Sequence, residues 1–101
     1  MGRTETITET RDFVLRNKYG MHVRPAGLFA KMASRYNAEV EVDKIDENGA
    51  IVSGKSIMAL MTLEATCGTT LRVTATGPQA HEVLDELEAL IARKFDIPDE
   101  Q

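Results

Sequence analysis

The spacing of apolar residues changes several times along this chain, and that change limits the folds it can adopt. In residues 38–44, apolar and polar side chains alternate strictly, which is typical of a strand with one buried face. Near the C-terminus, apolar residues recur at intervals of three and four, which is typical of an amphipathic helix. The residues on that helical face are Ala80, Val83, Leu84, Leu87, Leu90 and Ile91. A chain that mixes both patterns is expected to form an α+β domain, with helices packed on one face of a sheet.

The predicted elements follow the order strand, helix, strand, strand, helix, strand, helix. In chain order they are a strand at Phe13 and Leu15, a helix over 24–36, strands over 38–44 and 50–53, a helix over 56–65, a strand at Leu71, Val73 and Ala75, and a helix that starts at Gly77 and Pro78. The Asn-Gly pair at the end of residues 46–49 is typical of a hairpin between the second and third strands. Four strands with one solvated face predict an antiparallel sheet.

The length of 101 residues fits one small domain. Residues 1–10 are polar and rich in Thr and Glu, so we expect a flexible N-terminal extension there. We assign residues 11–96 to the domain and residues 97–101 to a C-terminal tail.

The composition argues against several classes of function. The net charge of −4 argues against non-specific binding to nucleic acid. No apolar run approaches the length of a membrane span, and the N-terminal segment does not resemble a signal peptide. Cys67 is the single cysteine, which rules out an intrachain disulfide and fits a reducing cytoplasm. Since no Cys/His cluster has metal-ligand spacing, we expect neither a metal nor a cofactor.

Residues 20–26, Gly-Met-His-Val-Arg-Pro-Ala, place a histidine and an arginine where a helix is predicted to begin. Pro25 is expected at the first helical position, because its missing N–H would have no intrahelical acceptor there. His22 then lies beside unpaired backbone N–H groups and the positive end of the helix dipole. Arg24 adds a planar guanidinium that suits phosphate oxygens. The segment therefore predicts an anion site, with a phosphoryl group as the natural occupant.

Residues 54–63, Gly-Lys-Ser-Ile-Met-Ala-Leu-Met-Thr-Leu, predict a short helix with Ser56 as its N-cap. Its apolar residues are too many to be buried on one side. Leu60 and Leu63 share a face and are expected in the core. An exposed, adaptable apolar patch is then expected at Ile57, Met58 and Met61. A helix buried on all sides remains the alternative.

The two motifs, in this order and at this spacing, resemble the signatures of the histidine phosphocarrier (HPr) family of the phosphoenolpyruvate:sugar phosphotransferase system. The resemblance covers residues 12–95, with a few extra residues around 46–49. It implies an open-faced β-sandwich, in which three helices cover one face of a four-stranded antiparallel sheet. It also implies a monomeric, cytoplasmic phosphoryl carrier, which takes part covalently in a relay and is not an enzyme by itself.

The same resemblance implies a role for particular residues. His22 would accept a phosphoryl group at Nδ1 from enzyme I and pass it to enzyme IIA proteins, and Arg24 would stabilise that group. Ser56 would be phosphorylated by HPr kinase/phosphorylase, with a transcription regulator as a further partner. The docking surface for these partners would consist of Gly27, Lys31, Ile57, Met58 and Met61. Gly27 departs from the alanine or small hydroxyl residue common at its position.

Other functions stay open at this point. A signalling paralogue of the nitrogen-related branch would share His22 and differ only in its partners. A binding module that acts as a corepressor through phosphorylated Ser56 would not need a histidine, so His22 argues against it. A stand-alone enzyme is least supported, because no base, metal site or substrate pocket accompanies His22. For Ser56, a plain helix cap worth about 1 kcal/mol is a sufficient alternative. His81 is expected to be a solvated residue without a function.

Overall fold

The computed structural model describes residues 6–45 and 51–98, which form a four-stranded sheet and three α-helices. The strands are β1 (Thr8–Val14), β2 (Glu39–Lys44), β3 (Val52–Ser53) and β4 (Thr70–Thr76). The helices are α1 (Val23–Ala33), α2 (Ile57–Met61) and α3 (Ala80–Ala92), and a 3-10 turn covers Lys94–Asp96. The predicted order of elements and the α+β class are confirmed.

The two faces of the sheet differ in chemistry. The strand order is β1-β4-β2-β3, and every neighbouring pair is antiparallel, as predicted. On one face, Val42 lies opposite Val73, and both side chains are fully buried. On the other face, Thr10 lies opposite Thr74, and their hydroxyl groups form a hydrogen bond of 3.0 Å. Because successive strand residues point to opposite faces, this alternation leaves one face of the sheet open.

The core lies between the sheet and the helices α1 and α3. Phe29 of α1 and Leu84 and Leu87 of α3 are fully buried in the same cluster as Val73 of β4. All six apolar residues that predicted the inner face of the last helix are buried. The helical spacing of apolar residues therefore identified the packed face of α3 correctly.

β1 begins at Thr8, earlier in the chain than the sequence predicted. Residues 8–10 belong to the segment that was expected to be a flexible extension. They pair with residues 74–76 of β4, and the Thr8 hydroxyl donates to the Thr76 hydroxyl at 3.3 Å. The polar side chains of this segment face solvent or α3, so the sequence offered no apolar pattern that would have revealed the strand.

The helices are also shorter than predicted. α1 ends at Ala33, and the Arg35 N–H bonds to the Met32 carbonyl, a tightened turn that closes the helix before residue 36. α2 ends at Met61, because the Leu63 and Glu64 amides bond three residues back and Glu64 adopts a φ of +51°. α3 begins only at Ala80.

Two further observations complete the fold. The hairpin loop predicted at residues 46–49 lies outside the described residues, as does the first residue of the strand predicted at 50–53. Within residues 6–45 and 51–98, the structure contains no helix long and apolar enough to span a membrane.

Candidate functional site

The loop between β1 and α1, which carries His22, forms backbone hydrogen bonds with the loop that precedes β4. The Leu15 N–H donates to the Thr69 carbonyl at 2.9 Å, and the Gly68 N–H donates to the Leu15 carbonyl at 2.7 Å. Nearer to α1, the Met21 N–H donates to the Ala65 carbonyl at 2.8 Å. These bonds hold the His22 segment against the chain that follows α2.

A tight turn precedes His22. The Gly20 N–H donates to the Asn17 carbonyl at 3.2 Å. Nδ2 of the buried Asn17 side chain donates in turn to the Gly20 carbonyl at 2.6 Å. Gly20 has a φ of +68°, and a Cβ atom there would collide with the Ala65 carbonyl. The turn therefore requires glycine, both for its left-handed backbone and for its close approach to Ala65.

His22 is the N-cap residue of α1. Its backbone is extended, with φ −90° and ψ −168°, and its side chain is half-buried and makes no capping hydrogen bond. Its carbonyl accepts the first intrahelical bond, from the Ala26 N–H at 2.9 Å. The imidazole therefore lies at the positive end of α1 without being used to close the helix.

The position of Pro25 differs from the prediction. α1 begins at Val23, so Pro25 is the third helical residue and is buried, rather than the first. The physical reason for a proline remains valid, because the first intrahelical bond is donated by Ala26 and an N–H at position 25 would have had no partner. Val23 and Arg24 instead contribute the N-terminal amides next to His22, and the Arg24 side chain is exposed.

One aromatic ring meets the imidazole, and a lysine lies near that ring. The ring of Tyr19 meets that of His22 edge-on, with centroids 6.2 Å apart and an interplanar angle of 78°. The Lys18 ammonium lies 5.3 Å from the centroid of the Tyr19 ring. Among residues 6–45 and 51–98, the imidazole of His22 makes no hydrogen bond, and Tyr19 is the aromatic residue in contact with it.

Ser56 is the N-cap of α2, as predicted. Its Oγ accepts a hydrogen bond from the Ala59 N–H at 3.1 Å, and its backbone is extended. Gly54, two residues earlier, allows the chain to pass close to β2, because a Cβ there would lie 2.6 Å from Cγ1 of Val40. The Gly54 N–H also donates to the Val40 carbonyl at 2.7 Å.

The burial of α2 matches the predicted division between core and patch. Leu60 is fully buried and Leu63 is 6% exposed, whereas Met58 is 79% exposed. Ile57 and Met61 are 41% and 40% exposed. The alternative of a helix buried on all sides is therefore wrong.

The helices α1 and α2 pack side by side and share one surface. A Cβ atom at Gly27 would lie 3.8 Å from Cδ1 of Ile57, an ordinary contact, so this position has room for alanine. Arg24, Gly27 and Lys31 follow one another on α1 at helical spacing. Gly27 lies about 7.5 Å along the helix from His22. The packing brings Gly27 of α1 next to Ile57 of α2, and both are predicted docking residues.

This surface carries basic charge. Arg24, Lys31 and Lys55 are all exposed, and none of them forms an ion pair with another residue in the described ranges. In the same part of the chain, no group of three or more His, Cys, Asp or Glu side chains is arranged to hold a metal ion. Exposed cationic and apolar side chains therefore lie on α1, on α2 and just before α2.

His81 is exposed, as expected of a solvated residue, but it also takes part in contacts that the sequence did not predict. Although exposed, it bridges β1 and α3, with Nδ1 3.0 Å from Glu9 Oε1 and Nε2 3.3 Å from Asp85 Oδ2. The hydrogen bond to Glu9 and the charge of Asp85 raise the pKa of His81, and the same bond together with Arg11 lowers the pKa of Glu9. Arg11 also pairs with Asp85 at 2.8 Å. None of these contacts involves the His22 loop.

The comparisons with known proteins agree with this geometry. Residues 9–93 match the family model of the PTS-HPr family, described as the PTS HPr component phosphorylation site. The chain belongs to the HPr family. It is 44% identical over 80 residues to the phosphocarrier protein HPr of Pseudomonas aeruginosa. The matched residues make up 79% of this chain and 87% of that relative. It is 38% identical over 85 residues to that of Cupriavidus necator, with coverages of 84% and 92%.

A longer relative contains a similar segment. A multiphosphoryl transfer protein of Haemophilus influenzae is 39% identical over 79 residues, which cover 78% of this chain but 16% of that protein. The chain thus spans about a sixth of this relative's length and most of the length of the two HPr proteins.

Solved structures of HPr proteins have the same fold. The HPr of Thermoanaerobacter tengcongensis superposes with a TM-score of 0.80 at 31% identity, over 88% of this chain and 97% of that one. The HPr of Bacillus anthracis gives a TM-score of 0.76 at 32% identity, with coverages of 83% and 96%. The expected open-faced β-sandwich of the HPr family is confirmed.

The sequence reasoning missed Tyr19 and Asn17. In the sequence, residues 17–20 predict only a turn into the segment that carries His22. An aromatic side chain three residues before the histidine, in such a turn, was the signal that could have revealed the ring contact.

Proposed function

We propose that the protein is a cytoplasmic phosphoryl carrier in which His22 accepts a phosphoryl group from phospho-enzyme I and passes it to enzyme IIA proteins. The observation that carries this proposal is the position of His22. Its imidazole lies at the N-terminus of α1 and has no capping bond, beside the amides of Val23 and Arg24. An uncommitted nucleophile is thus held at the place in the fold that best tolerates an anion.

The chemistry needs little beyond this arrangement. A neutral imidazole has a lone pair on one nitrogen, which forms the new N–P bond while the bond between phosphorus and the donor breaks. The reverse exchange hands the group to the next protein, so the carrier is a covalent participant rather than a stand-alone enzyme. Phosphoryl transfer depends mainly on positioning and charge stabilisation. The helix amides and the guanidinium of Arg24 would stabilise the group on His22, and the partner proteins would supply the rest.

The surface formed by α1 and α2 suits a partner that binds briefly. Met58 and Met61 are exposed, flexible apolar side chains that can adapt to more than one partner. They belong to the same short helix as Ile57, which lies next to Gly27. Lys31 adds a positive charge on the same surface, which favours an acidic partner. A carrier that must bind a donor and an acceptor in turn benefits from one surface that serves both.

Ser56 would regulate the carrier through phosphorylation by HPr kinase/phosphorylase. A phosphate at a helix N-cap is compatible with the helix dipole, and it adds a charge of about −1.5 to −2. Met58, two residues away, lies on the proposed docking surface and is highly exposed. The phosphate would therefore repel an acidic partner while leaving the fold unchanged.

The carrier role is tested with the two histidines of the chain. The parent, His22→Ala and His81→Gln are incubated with labelled phosphoenolpyruvate, with and without enzyme I. We expect the parent and His81→Gln to take up label only with enzyme I, as an adduct that is labile in acid and stable in alkali. His22→Ala should take up none, because His81 lies in a separate ion-pair cluster. Acid-labile uptake by His22→Ala would refute the assignment of His22.

A further inference from the structure

The half-exposed ring of Tyr19 meets the ring of His22, and the proposed carrier function gives Tyr19 no role. The two rings meet edge-on at 78° with centroids 6.2 Å apart. This distance and angle lie within the range in which aromatic pairs attract each other beyond the burial of their area. Tyr19 is 50% exposed, so packing in the core does not explain why an aromatic residue stands at this position.

The backbone that carries Tyr19 is rigid. Tyr19 lies within the turn closed by the reciprocal bonds between Asn17 and Gly20, and Gly20 is pressed against Ala65. The Lys18 ammonium, 5.3 Å from the ring centroid, is within the distance at which a cation is attracted to an aromatic ring. The position of the Tyr19 ring is therefore set by the hydrogen-bonded turn that carries it and by its contact with the Lys18 ammonium.

His22 needs such a support. In the described residues its imidazole has no hydrogen bond, and the edge-on contact with Tyr19 is its one contact with another ring. We infer that Tyr19 is a positioning residue for phosphoryl transfer, whose ring holds the imidazole of His22 in the orientation from which it exchanges the phosphoryl group. This inference rests on the proposed carrier function. The contact depends on the aromatic ring and not on the tyrosine hydroxyl.

The test uses the full chain with Tyr19→Leu, which removes the aromatic ring, and Tyr19→Phe, which keeps it. In the unphosphorylated proteins, NMR measures the nuclear Overhauser effect between the two rings and the rotamer averaging of His22. Steady-state transfer from phospho-enzyme I gives kcat and KM separately. Because Tyr19 is half-exposed, both variants are expected to fold, and the amide spectrum checks this.

We expect Tyr19→Phe to keep the ring-to-ring effect and the parent kcat. Tyr19→Leu should show averaged His22 rotamers and a kcat lowered about two- to tenfold, the factor that corresponds to one aromatic pair, with KM unchanged. A parent-like kcat in Tyr19→Leu, a change in KM alone, or a Tyr19→Phe as slow as Tyr19→Leu would each overturn the inference. If the parent takes no phosphate from phospho-enzyme I, the proposed function fails and the transfer role of Tyr19 with it. The NMR measurement would still decide whether Tyr19 orders His22.

Discussion

Substitutions at Ser56 separate its role as a helix cap from its proposed role as a regulatory site. The Ser56 Oγ accepts the Ala59 N–H at 3.1 Å, and α2 is only five residues long. Ser56→Ala leaves that first-turn N–H without its side-chain acceptor, which costs about 1 kcal/mol of unfolding free energy. For a domain of this size, that corresponds to a fall in Tm of roughly 4–8 °C. Ser56→Asp keeps an acceptor oxygen and adds a negative charge at the helix N-terminus, so its stability should equal or exceed that of the parent.

The ranking of the two variants in phosphotransfer rate should be the reverse of their ranking in stability. Ser56→Asp places a charge next to Met58 and Met61 and should slow transfer from phospho-enzyme I, whereas Ser56→Ala should transfer at nearly the parent rate. Thermal and urea unfolding followed by circular dichroism measure stability, and the label uptake of His22 measures transfer. A Ser56→Ala protein as stable as the parent would refute the capping argument. Parent-like transfer by Ser56→Asp would leave Ser56 as a cap alone.

Three further predictions concern Arg24, Gly20 and His81. Arg24→Lys keeps the charge but loses the planar guanidinium, so phosphotransfer should slow while binding to enzyme I in titration calorimetry persists; equal rates would contradict this. Gly20→Ala should lower the unfolding free energy in urea by more than about 1 kcal/mol, because position 20 has a positive φ and meets Ala65, and an unchanged midpoint would contradict it. The hydrogen bond to Glu9 and the charge of Asp85 raise the pKa of His81 above its ordinary 6.5. Protonated His81 therefore stabilises the folded protein fully below pH 6.5, and this contribution is lost as the pH rises through the folded-state pKa. The stability difference between the parent and His81→Gln should accordingly shrink at higher pH, and a difference independent of pH would refute the argument.

Local patterns predicted what depends on neighbours in sequence. The capping role of Ser56 followed from the residue type and the apolar run after it, and the contrast between buried Leu60 and exposed Met58 followed from helical spacing. The contact of Glu9 with His81 could not be predicted in this way, because the two residues are 72 positions apart. They meet only because the pairing of β1 with β4 brings β1 beside α3. The start of β1 was missed for the same reason, since its polar residues are partnered by side chains distant in sequence.

The ion-pair cluster at Glu9, Arg11 and His81 has a consequence for how molecules of this protein meet one another. β1 forms an edge of the sheet, and an open edge can add a strand from another chain. Glu9 and Arg11 are charged residues on the side of this edge strand that faces α3, where Asp85 and Glu88 lie within 2.8 Å of Arg11. Charges that point inward from an edge discourage the addition of a further strand. The cluster that joins β1 to α3 therefore also disfavours the pairing of β1 with a strand from another chain.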